Sequence, residues 1–142
     1  MKSEKIGKEV VVHDKGFGID AILVHKPRTS ILEALRKEDW FRGIILSATY
    51  FEHFGLEKLK EYYQGKITPE KLNRLNLEQI ILFLFGSGII DQATYTKMIE
   101  IKDARNELVH EPWANVTLTE NRGKVLIRKA IECLKALGIK DC

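Results

Sequence analysis

Apolar and polar positions follow a helical period over most of the chain. Ser30 with Glu33 has the spacing of a capping box. Ile31, Leu32 and Leu35 behind it predict a short amphipathic helix to about Asp39. A longer helix is predicted from Trp40 toward Tyr63, with Ile44, Ser47, Ala48, Phe51 and Phe54–Gly55 along one face at three- and four-residue steps. Gly43 and Gly55 each lower helix propensity by about 1 kcal/mol against Ala. Either admits a close neighbouring helix, or Gly55 breaks this one. Thr68 before Pro69 and Asn76 before Gln79 are helix starts. Ile80–Phe85 is apolar all round, which predicts burial on most sides. Gly86-Ser87-Gly88 ends it. Asp91 caps a helix from about Gln92 to His110, stopped by Pro112. Thr119 caps the last helix, whose core stripe is Val125, Leu126, Ala130, Cys133, Leu134 and Leu137, with Gly138 as its stop.

The first residues follow a different period. Val10–His13 and Ile19–Val24 are β-branched runs separated by Asp14-Lys15-Gly16-Phe17-Gly18, and predict two short strands with a glycine-bearing turn. Gly16 and Gly18 do not make a phosphate loop, because no Lys-Ser/Thr and no dinucleotide fingerprint follows. The expected fold is therefore all-α: a four- to five-helix up-and-down bundle over residues 28–142, with residues 1–27 as a small N-terminal β-hairpin appendage.

Composition narrows the classes without naming one. The 142 residues are 44% hydrophobic and 30% charged, as in one ordinary globular domain. A net charge of +3 and an isoelectric point near 8.8 permit RNA binding without demanding it. Arg122, Lys124, Arg128, Lys129 and Lys135 make the last helix basic: a solvated face, or a guide for a phosphate backbone. Cys133 and Cys142 fit no zinc or disulfide framework and read as free thiols. No apolar run reaches the roughly 20 residues of a membrane span, and no signal core follows the N-terminal lysines. A cytoplasmic protein with no membrane contact and no cofactor is expected.

The penultimate helix carries the chemistry. On a wheel turning about 100° per residue, Met98, Ile99, Ile101, Leu108 and Val109 share a broad apolar face, with Lys97, Glu100, Asp103 and Glu107 opposite. Arg105 and Asn106 stand inside that face, and His110 at its edge. Lys102 also falls within it, where its stem can snorkel. A core Arg costs several kcal/mol unless it is paired or faces a wet cleft. Arg105 is thus either a buried structural pair or a site residue.

Arg105-Asn106-Glu107-Leu108-Val109-His110 resembles the Arg-polar-x-x-x-His signature of the HEPN superfamily (higher eukaryotes and prokaryotes nucleotide-binding domains), in which the motif ends the penultimate helix. Over residues 30–137 the order of helices is similar. The resemblance implies a metal-independent endoribonuclease, a toxin or defence effector, working as a homodimer that brings two motifs into one cleft. It implies His110 as acid–base group, Arg105 as the charge that stabilises the phosphorane, and Asn106 as a positioning residue. An RNA substrate, and a cognate antitoxin or nucleotidyltransferase as partner, follow on the same ground. Some family toxins carry a Tyr two places after the His, where the nucleotidyltransferase attaches nucleotides; Pro112 stands there in this chain. Two other readings stay open: a non-catalytic nucleotide- or RNA-binding module, and a plain helical dimerisation domain in which Arg105 pairs across the bundle. Glu52 and His53 read as a solvated helix face, with Glu52 as a candidate support for His110. Trp113 covers the site or fills a gap beside it.

Overall fold

In the computed structural model, residues 9–14, 19–24, 26–110 and 120–139 are described. Among the described residues six helices pack together: α1 Pro27–Arg36, α2 Trp40–Tyr62, α3 Pro69–Leu72, α4 Leu77–Gly86, α5 Gln92–His110 and α6 Glu120–Ala136. The count exceeds the expected four to five because one turn, α3, stands alone between two breaks. Ahead of the helices, the backbones of Glu9–Asp14 and Ile19–Val24 pair antiparallel, Glu9 opposite Val24. The expected turn at 15–18, the loop with Pro112 and Trp113, and the Thr119 cap lie outside the described residues.

Local chemistry sets most helix ends. α1 starts at Pro27, not at the Ser30 capping box. Proline's preset φ suits the first helical position, where a missing N–H costs nothing. Ser30 Oγ instead donates back to the Lys26 carbonyl at 3.2 Å. Asp39 caps α2 by accepting from Arg42 N at 3.1 Å. Asn76 and Gln79 form the reciprocal capping box, both bonds 2.9 Å. Asp91 accepts from Thr94 N at 2.8 Å. That bond favours the charged carboxylate and holds Asp91 below its ordinary pKa.

The central helix is α2, which touches α1, α4, α5 and α6. Its two glycines are where neighbours come close. A Cβ at Gly43 would collide with Ile127 of α6, and one at Gly55 would lie 2.8 Å from Ile80 of α4. Gly55 therefore seats α4 and does not break the helix. Ile44, Ala48, Phe51, Leu59, Ile80, Leu84, Met98, Ile101, Ile127 and Leu134 form the buried centre.

Three expectations about burial change. In α1 Ile31 is buried as expected, but Ala34 is buried with it and Leu32 is exposed. In α6 Ile127 takes the core place and Val125 is half in water. In α4, Leu82, Phe83 and Phe85 are exposed, so the all-round apolar helix is buried on its inner side alone. Among the described residues no helix is long and apolar enough to cross a membrane.

Candidate functional site

α5 runs antiparallel between α4 and α6. On the α4 side, Phe85 stacks on Tyr95 with centroids 4.7 Å apart, and Lys102 Nζ stands 3.7 Å from Glu78. On the α6 side, Lys97 pairs with Glu132 at 3.0 Å, Glu100 with Lys129 at 3.0 Å, and Glu107 with Arg122 at 3.7 Å. The Glu132 carboxylate raises the Lys97 ammonium above its ordinary pKa. Each pair is open to solvent and contributes little by itself. Together they fix how α6 lies along α5 up to its last turn.

Arg105 is 5% exposed, the least accessible cation of the helix. Its Nη2 donates to Asn106 Oδ1 at 3.4 Å. Asn106 is half-buried and His110, the last residue of α5, is exposed. Asn106 and His110 are four residues apart, so they are neighbours on one face, about 5–6 Å between Cβ atoms. Arg105 and His110 are five apart, which turns them roughly 140° from each other on the helix. The structure thus joins Arg105 to Asn106 by a hydrogen bond and sets Asn106 one turn below His110. His110 also suits its position as a potential cation at the negative end of the helix.

Lys102 behaves as its sequence context suggests. Its stem is buried and its ammonium emerges beside Asp103 at 2.7 Å. Glu52 departs from the solvated-face reading: it is 5% exposed, inside the bundle. Its neighbour His53 stays nearer the surface, with Nε2 3.6 Å from Glu57. The wheel for α2 runs so broad an apolar sector that Glu52 falls at its margin, and only packing decides which side it takes.

A shallow groove of about 440 Å³ lies between α5 and α6, lined by Glu100, Asp103, Asn121, Arg122, Val125 and Leu126. Sequence reasoning missed it and missed Arg122 as the partner of Glu107. The two residues stand fifteen positions apart in the chain, and nothing in either helix alone signals the pairing. Among the described residues, no three His, Cys, Asp or Glu side chains are grouped to hold a metal ion. Cys133 is a buried thiol whose Sγ lies 3.9 Å from the Thr94 carbonyl, and burial pushes its pKa up to about 12. Comparison with known protein families, with curated proteins and with solved structures finds no match for this chain.

Proposed function

We propose that the C-terminal end of α5 is a metal-independent ribonuclease site of the HEPN type, completed by a second protomer. The observation that carries the reading is the linked arrangement of its three residues. A buried, permanently charged Arg105 holds Asn106 by its amide oxygen. Asn106 is partly open to solvent one turn from an exposed His110. An Arg in an apolar face is costly to bury, and here its guanidinium reaches the half-buried Asn106.

The chemistry fits those groups. The 2′-hydroxyl of RNA attacks the adjacent phosphorus; the 2′-O–P bond forms and the P–O5′ bond breaks. One imidazole takes the hydroxyl proton and a second, as imidazolium, gives one to the leaving 5′-oxygen. Histidine titrates near pH 6.5 and can serve either role. One chain supplies one motif histidine, so two protomers must face each other. With its oxygen held by Arg105, Asn106 turns its amide N–H groups toward the phosphate. The guanidinium behind it adds fixed positive charge to the field that the phosphorane meets. A cytoplasmic effector held in check by an antitoxin or a nucleotidyltransferase is the setting this chemistry suits.

The test is incubation of the purified protein with mixed RNA in excess chelator, beside His110→Ala. Cleavage with 2′,3′-cyclic ends is expected, slowed at least about 100-fold in the variant. Equal cleavage by the two proteins would refute the site. The burial of Arg105 favours a second reading, a non-catalytic helical dimerisation or nucleotide-binding domain in which Arg105 is structural. Absence of cleavage by the wild-type chain, with loss of fold in Arg105→Ala, would favour it.

A further inference from the structure

The outer side of α4 poses a question that the site at the end of α5 does not answer. Its inner residues Leu77, Ile80, Ile81 and Leu84 are all buried. Its outer residues are apolar as well: Leu82 is 52% exposed, Phe83 37% and Phe85 36%. The belt extends to both sides. Phe83 faces Tyr63 at 6.5 Å, and Tyr63 meets Tyr62, itself 54% exposed. Phe85 stacks on Tyr95 of α5. Glu78, one turn before Leu82, and its ion-pair partner Lys102 of α5 stand at the edge of this belt.

At about 200 Å² for a fully exposed aromatic or leucine side chain, Leu82, Phe83, Phe85 and Tyr62 leave roughly 350 Å² in water. The largest apolar patch on a typical monomer is about 300–600 Å² and is often functional. A stable interface takes about 800 Å² from each partner, with an apolar centre and a polar rim. The belt would supply nearly half of that area as its centre. Glu78 and Gln79, exposed at the start of α4, would stand at the rim.

We infer that a second copy of this chain covers the belt, with α4 packed antiparallel on its own counterpart. The shape is self-complementary. Leu82 and Gly86 lie one turn apart on the outer stripe, a protruding side chain followed by a gap. A Cβ added at Gly86 would meet nothing within 4 Å. Across a two-fold axis, Leu82 of each protomer drops over Gly86 of the other, so the same surface serves both sides. This contact is separate from the His110 end: Tyr95 and His110 are fifteen residues apart on α5, about 22 Å at 1.5 Å per residue. It therefore stands without the ribonuclease reading.

Sedimentation equilibrium of the full chain tests it, in the absence of RNA. The wild type is expected at twice the mass of Leu82→Glu and of Gly86→Leu at equal concentration. Each variant should weaken association by about 30-fold or more, as at an interface centre. Both positions face solvent in the protomer, so helical circular dichroism and melting of the protomer should hold. If Leu82→Glu fails to fold, Gly86→Leu, which fills an open space and favours helix, still reads the contact. A wild-type chain that sediments at the variants' mass at every concentration overturns the inference. So does an assembly that neither variant weakens.

Discussion

Gly55→Ala sets two opposing effects against each other at a place where the structure supplies the distances. In an isolated helix the change stabilises by about 1 kcal/mol, because Gly loses more backbone freedom than Ala on folding. Here the new methyl would lie 2.8 Å from Ile80 Cγ2 and 3.1 Å from Leu84 Cδ1. Carbon atoms rest at about 3.5–4.0 Å, so the first contact is roughly 0.7 Å or more too close. Ile80 is fully buried and β-branched, with essentially one rotamer open to it in a helix. It cannot swing aside, and α4 must move. Overpacking of this kind costs about 1–3 kcal/mol. The overpacking term wins, and Gly55→Ala should destabilise by about 1 kcal/mol, or about 3–4 °C in melting temperature for a chain of this size. Ile80→Leu removes the offending methyl from Cβ. In that background the same Gly55→Ala change should become neutral or stabilising. Urea unfolding of the four proteins, at unchanged slope, gives the coupling between the two sites, expected at about 1–3 kcal/mol. Stabilisation by Gly55→Ala in the wild-type background, with no coupling to residue 80, would refute the close seating of α4 on α2.

In a Cys142→Ser background, native Cys133 should resist iodoacetamide at pH 8, since a pKa of about 12 leaves on the order of one thiolate in ten thousand. Urea should release full labelling, and rapid labelling without urea would mean that the α5–α6 seam opens. Asp91 is held below its ordinary pKa by the Thr94 hydrogen bonds, so its capping contribution is present above the unfolded pKa of about 3.9 and is lost as pH falls through the folded one. Asp91→Asn keeps a good cap without a titrating proton, and its melting temperature should fall less steeply than the wild type's below about pH 4; parallel curves would contradict this.

Much of the helical order was legible in the chain because it depends on neighbours a few residues away. The Asn76–Gln79 box, the Asp91 cap, the stop at Gly86–Gly88 and the long period of α2 are all local chemistry, and they stand where the pattern puts them. The motif on α5 was legible for the same reason: an Arg and an Asn within an apolar stripe are anomalies of one helix read alone. Where two local signals competed, as at Pro27 against Ser30, the preset backbone of proline prevailed over a side-chain bond.

Tertiary packing decided what a single helix cannot express. Amphipathic wheels give a face but not its limits, so the exchange of Val125 for Ile127, the burial of Glu52 and the Glu107–Arg122 pair all depended on which helix came to lie alongside. The same holds for α4. Its residues are apolar on every side, a composition that tells of burial without telling by what. The bundle itself covers only the inner half, because α2 and α5 between them can reach no further round a cylinder about 10 Å across.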